Sequence, residues 1–484
     1  MRFFNRLSEV CRFQARFHSS SGSVPLFHSR FNQIIVVLAI CFSLLIPARL
    51  AAQTSPSDWS QVTNILARII PPTFPAQDFV ITNYGAVGDG TTDCTLAFSN
   101  AIAACNAAGG GRVVVPAGTF LTGAIHLLSN VNLYVASGGK ILFSTSTNAY
   151  LPLVFTRYQG IELMNYSPFI YAYGQTNIAI TGPGTIDGQG QLGPWYNWKN
   201  LLTADEQLLW NMASTNLPVA QRIFGPGHYL RPTFVQPVYC QNVLIDGVTF
   251  LNSPMWTVTP LFCTNVTIHG VTVNNSSSSP NTDSCDPDSC TDVLIKNCSF
   301  SDGDDCIAIK SGRDQDGVRV NIPCRNIVIQ NCVFANGHGG VTQGSEESGG
   351  ITNVFTENCD FNSSSLQYAF RFKNNTARGG YIANVYFRNC MIKTVSDTGI
   401  HMTMQYTSSS PANTGTYTPV IHNIDIRDCA FASVKQAISL TGLSSANPIT
   451  DVTVANCRFL NTSSANSFTY TNRINFINDK GGGF

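Results

Sequence analysis

The phrase NVLIDGVTF, Asn242–Phe250, returns as NVTIHGVTV at Asn265–Val273 and as DVLIKNCSF at Asp292–Phe300. It comes back from anchors Asn326, Asn353, Asn384, Asn423 and Asp451, so that successive anchors are 23, 27, 34, 27, 31, 39 and 28 residues apart. A fixed phrase with variable gaps is one structural unit repeated, with loops inserted between its constant parts. Within each unit apolar residues alternate, as at Val293 and Ile295, with Phe300 beyond a turn; period two means strand. No unit this short buries its own apolar face, so the units must stack. Most spacings fall short of the four strands and roughly 40 residues of a propeller blade. The repeat predicts an all-β solenoid, most economically a parallel β-helix.

Stacking also assigns the cysteines. The chain has 16, a number that in an exported protein first suggests disulfides. Yet Cys298, Cys332, Cys359, Cys390, Cys429 and Cys457 all stand six residues past their anchors, where earlier units carry Val248 and Val271. Interchange with valine marks them as small inward-facing hydrophobes forming a ladder of free thiols. Asn297, Asn331, Asn358, Asn389 and Asn456 form a second ladder at the preceding turn, expected to be buried, which argues against glycosylation of the sequon at Asn297. Phe250, Phe300, Phe334, Phe361, Phe431 and Phe459 form a third, in the core.

Upstream, TTDCTLAFSNAIAACNAAGGG reads as one amphipathic helix, capped by Thr92 or Asp93 and ended by Gly109–Gly111. A solenoid has an open apolar end, and this helix is a natural lid for it. A shorter helix around Trp59 to Ile69 reads as a docked arm. At the start, Arg2, Arg6, Arg12, Arg16 and Arg30 precede the apolar run Ile34–Ile46, which is shorter than a spanning helix needs and is followed by small residues. The expected organisation is an export segment over 1–52, an arm over 53–78 and the solenoid over 79–484, with no stable membrane insertion once the segment is cleaved. Lys plus Arg and Asp plus Glu balance at 28 each, which leaves no basic patch for nucleic acid.

Chemistry gathers where the repeat meets SDGDDC, Ser301–Cys306. Asp304 and His338 each lie twelve residues past their anchors, so they should sit one strand spacing, about 4.8 Å, apart along the axis. Neighbouring glycines let the backbone bulge and bring Asp304 and Asp305 to one side. SPNTDSC places Asp283 one coil earlier, and FRFK supplies Arg371 and Lys373, two apart and so on one face, one coil later. Paired carboxylates across a scissile bond are the equipment of glycoside hydrolysis, and crowded like charges raise one pKa to keep a carboxyl protonated. The two cations suit an anionic sugar. Asp283, Asp302, Asp304 and Asp305 as a calcium site is the competing reading.

At these residues the chain resembles the polygalacturonases of glycoside hydrolase family 28. The motifs, in order, are NTD at 281–283, DDC at 304–306, GHG at 337–339 and RFK at 371–373. The resemblance runs from about Phe79 to the end, through NYGAVGDGTTD and GPGTIDGQG. It implies a right-handed, single-stranded parallel β-helix that hydrolyses α-1,4-galacturonosyl bonds with inversion, without metal or cofactor. Carried over residue by residue, Asp304 is the general acid, Asp283 and Asp305 activate water, and His338 supports the acid. Arg371 and Lys373 bind the substrate carboxylate, and Asn281 lines the site. Three departures stand out: Ser284-Cys285 after NTD, Gln343 after GHG, and the insertion RDQDGVRVNIPC, which leans towards the exo-acting or bacterial-type branch. The family pattern makes Cys306–Cys324 a candidate disulfide. A pectic polysaccharide as partner, a monomer, and a secreted or periplasmic location complete the expectation. A lyase or epimerase, or a non-catalytic polysaccharide-binding solenoid, on the same fold are the alternatives.

Overall fold

Thirteen parallel strands, from Asp78–Val80 to Thr471–Ile477, stack in one long sheet. Their register is constant: Val243, Val266, Val293, Ile327, Val354, Val385, Ile424 and Val452 lie side by side. Along the middle of the stack the chain turns after such a strand into a second run, as at Ser299–Ser301, and then a third, as at Ile307–Ile309, before returning to the long sheet. The result is a right-handed parallel β-helix. The computed structural model describes residues 58–409 and 411–481; the expected export segment, 1–52, lies outside the described residues.

The anchors owe their residue type to backbone geometry. Asn242, Asn265, Asp292, Asn326, Asn353, Asn384, Asn423 and Asp451 all have φ between 56° and 59°, a left-handed conformation that Asn and Asp tolerate best among non-glycine residues. Their side chains then bond from coil to coil. Asn265 Nδ2 donates to Asn242 Oδ1 at 2.7 Å, Asn353 to Asn326 at 3.1 Å, and Asn423 to Asn384 at 2.6 Å. The amide ladder expected at Asn297 and its equivalents is exposed, not buried. These residues are left-handed turn formers, with φ of 53° to 57°, and they stand on the solvent side of the corner. Burial therefore gives no argument against glycosylation at Asn297.

The cysteine and phenylalanine ladders face inward. All six repeat cysteines are buried and free, and Phe334–Phe361 and Phe431–Phe459 stack with ring centroids 4.5 and 4.6 Å apart. The candidate Cys306–Cys324 disulfide is absent. Cys306 Sγ faces the Asn336 carbonyl on the catalytic side, whereas Cys324 opens a strand of the long sheet and faces the Pro287 carbonyl.

The lid helix spans Thr95–Ala107 and buries Ala97, Phe98, Ala101, Ile102 and Cys105 over the first coils. Asp93 Oδ1 accepts from the Thr95 N–H, and Gly109, at φ 89°, closes the C-terminus. The arm helix, Ser60–Arg68, packs Trp59, Val62, Ile65 and Ile69 on Val328, Phe355 and Tyr386 of the long sheet's outer face. Arg68 reaches the anchor Asp292 at 2.6 Å, so the arm is tied to the amide ladder itself.

Two outcomes are expected. Asn353→Ala should lose both the left-handed preference and its ladder bonds, lowering stability by about 2 kcal/mol, while Asn353→Gly should lose only the bonds; chemical denaturation separates them. In the unreduced, denatured protein both Cys306 and Cys324 should alkylate individually, and a disulfide-linked peptide joining them would contradict this fold.

Candidate active site

The doublet is brought to one side by a break between strands. The chain leaves its second run at Ser301, turns through Asp302–Cys306 and re-enters strand at Ile307, while the next coil runs straight from Val333 to Gln343. The register shifts between Phe300 and Ser301 to absorb the difference. Two glycines permit this packing. A Cβ on Gly303 would lie 2.0 Å from the Ser279 carbonyl, and Gly337, at φ 149°, passes with its Cβ position 2.4 Å from the Asp304 carbonyl. Asp302 is the organiser of the turn: buried, it accepts from the Asp304 N–H at 3.0 Å and from the Ser284 hydroxyl. Ser284, a departure from the family pattern, thus has a partner.

All seven residues singled out in the sequence converge. Asp283, Asp304 and Asp305 bring oxygens within 4.8 Å of one another. His338 Nδ1 lies 3.0 Å from Asp304 Oδ1, and the His338 backbone N–H donates to the Asp304 carbonyl at 2.6 Å. Asn281 Nδ2 reaches the other Asp304 oxygen at 3.3 Å. Behind it, the buried Arg231 fixes the segment, donating to Asn281 Oδ1 at 2.6 Å and to the Pro280 carbonyl at 2.7 Å. Arg371 Nη1 and Lys373 Nζ stand 3.1 and 2.5 Å from the two oxygens of Asp305.

Burial divides the three carboxylates. Asp305 is fully buried, and Asp283 is 3% exposed, whereas the Asp304 side chain keeps 19% of its surface. Burial, reinforced by the Asp304 charge, pushes the Asp283 carboxyl well above the usual carboxylate range. Crowding was expected to raise the carboxyl of the acid, Asp304; the carboxyl that burial raises is that of Asp283. Burial acts on Asp305 too, but the charges of Lys373 and then Arg371 overcome it and hold that carboxyl low. The hydrogen bond to Asp304 raises the His338 imidazole above its ordinary value. With both Asp305 oxygens facing cations, the calcium reading loses a ligand.

The cleft holds about 220 Å³ and is lined as well by groups the motifs do not contain. Lys310 reaches Glu346 at 3.1 Å and Asp283 at 3.7 Å, and its ammonium lies over the Trp256 ring. Tyr406 faces Arg371 and Lys373. Lys199 and Gln159, from inserted loops, line it as well. Lys310 could have been found by alternation, since it follows Ile307 and Ile309 out of the doublet. The insertion forms a helix, Asp314–Val320, whose Asp314 binds Arg378 at 2.5 Å and whose Asp316 binds Arg222 at 2.8 Å.

The family model of Glycosyl hydrolases family 28 matches residues 105–475. The chain belongs to that family. It is 32% identical over 388 residues to a probable polygalacturonase of Vitis vinifera, covering 78% of this chain and 73% of the relative. It is 28% identical to an exo-poly-alpha-D-galacturonosidase of Dickeya chrysanthemi, over 75% of this chain and 64% of the relative. The crystal structure of a hyperthermoactive exopolygalacturonase from Thermotoga maritima superposes with a TM-score of 0.82 at 35% identity, covering 87% of this chain and 96% of that one. The protein is therefore a pectin-degrading glycoside hydrolase, and family 28 membership sets it apart from the lyase, epimerase and binding-module alternatives.

The charge arrangement has a thermodynamic consequence. Asp305→Asn strands two buried cations and should cost on the order of 3–5 kcal/mol of stability, whereas Asp304→Asn, at a pair that keeps part of its surface in the cleft, should cost less than about 1 kcal/mol. Because the folded Asp305 pKa is depressed, its contribution is complete above the unfolded carboxylate pKa, about 4, and is lost as the pH falls through the lower folded value. Asp283 acts oppositely: its raised pKa favours the fold in acid, and this contribution is lost as the pH rises. Urea titrations of the three proteins between about pH 3 and 7 check the Asp305 contribution: the Asp305→Asn deficit should shrink in acid.

Proposed function

We propose that the enzyme cleaves α-1,4-galacturonosyl bonds from a chain end, with inversion, using Asp304 as the acid. What carries this reading is the division of burial: of the three clustered carboxylates, Asp304 has the most surface in the cleft, 19% against 5% and 0% for the side chains of Asp283 and Asp305. Asp304 protonates the leaving oxygen while Asn281 and His338 orient it. Asp283, its basicity raised by burial, and Asp305 polarise the attacking water and accept its proton. Arg371 and Lys373 hold the sugar carboxylate by charge-assisted bonds. Every group in this scheme comes from one chain, consistent with a monomer.

Inversion is supported by access: neither Asp283 nor Asp305 has the exposure to bond a sugar carbon directly. One observation favours a second reading. The three carboxylates approach within 4.8 Å, whereas inverting pairs commonly stand roughly 6.5–9.5 Å apart and retaining pairs about 5 Å. Exo-action is supported by the names of the Dickeya and Thermotoga relatives and by the walls that the insertions raise around the cleft. Export to a secreted or periplasmic location rests on the basic start and the apolar run Ile34–Ile46, and it matches a polymeric substrate found outside the cell.

Turnover of polygalacturonate by folded Asp304→Asn should fall by roughly 10²–10⁴, and near-native activity would refute the acid role. The acidic limb of the wild-type rate–pH profile should lie above the ordinary carboxylate range, because Asp283 must be ionised. Proton NMR of the first product should show the β-anomer; the α-anomer would establish the retaining reading. Chromatography should show monomer or dimer released from the outset, and a ladder of lengths would mean endo-action.

A further inference from the structure

The cations around the carboxylates are mostly spent. Arg371 and Lys373 both face Asp305, and Lys310 is held between Glu346 and Asp283. Lys199 differs: it lines the same cleft, is partly exposed, and among the described residues its ammonium has no ion pair or hydrogen bond. Its position is nonetheless fixed. It ends a short turn of helix, Trp195–Trp198, with its N–H donating to the Tyr196 carbonyl at 3.2 Å. Trp195 and Trp198 on that turn are buried, packed on each other with ring centroids 4.9 Å apart. A lysine held by two buried tryptophans and aimed at a cleft, with no internal partner, is a charge kept for something outside the chain.

Topology says where that something sits. The coils advance one strand spacing at a time, and Lys199 belongs to the loop inserted between the coil of Thr185–Asp187 and that of Thr249–Leu251. Asp283 and the doublet follow later along the axis, and Arg371 and Lys373 come on a later coil still. Lys199 and the Arg371–Lys373 pair therefore flank the three carboxylates from opposite ends. A galacturonan carries one carboxylate per sugar, so a chain lying across the acid presents one charge to each end.

We infer that Lys199 is a specificity-determining residue that binds the carboxylate of the sugar on the opposite side of the scissile bond from Arg371 and Lys373. This rests on the polygalacturonase reading above. The cleft would thereby demand an unesterified galacturonate on both sides of the bond it breaks, and the insertion that walls the cleft would supply the second recognition group.

The test compares wild type, Lys199→Ala and Lys199→Arg on trigalacturonate and on its fully methyl-esterified counterpart. Lys199→Ala should raise KM on the acid substrate by about tenfold, with kcat changing less, and should weaken the salt dependence of KM. Lys199→Arg should restore most of the affinity. On the methyl ester, wild type and Lys199→Ala should bind equally in calorimetry. An unchanged KM for Lys199→Ala, an equal loss on acid and ester, or no rescue by arginine would overturn the proposal while leaving the enzyme's activity established. A wild type that binds trigalacturonate without hydrolysing it would overturn the underlying reading instead, and one that does neither would overturn both.

Discussion

Everything in this molecule hangs on strands stacking in register at the strand spacing. Each coil is a template for the next, because its backbone N–H and C=O groups have no other partners and its apolar residues have no other cover. A slip of one residue would turn every inward side chain outward. The left-handed anchors prevent that slip: only at a corner with positive φ does the chain turn where the preceding coil turned, and the side-chain amides bond only when the corners coincide. Repeated corners thus convert sequence spacing into distance. That is how Asp304 and His338, 34 residues apart in the chain, come to lie 3.0 Å apart.

On this rigid frame the site carries an electrostatic load that only compensation makes tolerable. Two carboxylates in a nearly dry environment would be costly alone. Lys373 and Arg371 hold Asp305 ionised, whereas Asp283, with Lys310 more distant at 3.7 Å, is pushed toward its neutral form. The two residues have the same chemistry, but the number and closeness of the cations give them different proton affinities: Asp305 is a firm anion, and Asp283, once ionised, is the stronger base.

Specificity is built on loops, yet the loops are pinned by buried ion pairs. Arg157–Asp288, Arg222–Asp316 and Arg378–Asp314 join inserted segments to the solenoid or to one another with their side chains nearly out of solvent. Such pairs add little net stability over apolar packing, but they fix geometry, since breaking one leaves an unpaired buried charge. The walls of the cleft are therefore held in place as firmly as its floor, which suits an enzyme whose substrate is a stiff, charged chain.

The sequence by itself determined the stacking, because period and anchor spacing are one-dimensional properties that the coil reproduces in space. It also brought Asp304 and His338 together, since the two share one offset from their anchors; Arg371, in register with Thr342 and through it with Ala308, lies further along its coil and reaches Asp305 from there. Tertiary structure alone decided the rest. Whether the amides of Asn297 and its equivalents face solvent depends on the direction of a corner, which spacing does not encode. Whether Cys306 and Cys324 meet depends on which of two sheets each one joins. Which carboxyl is raised depends on burial and on cations brought from other coils, and Lys199 reaches the cleft only through a loop whose path no repeat specifies. Local pattern fixes what recurs; the inserted, irregular segments are placed by packing, so their contribution could be seen only in three dimensions.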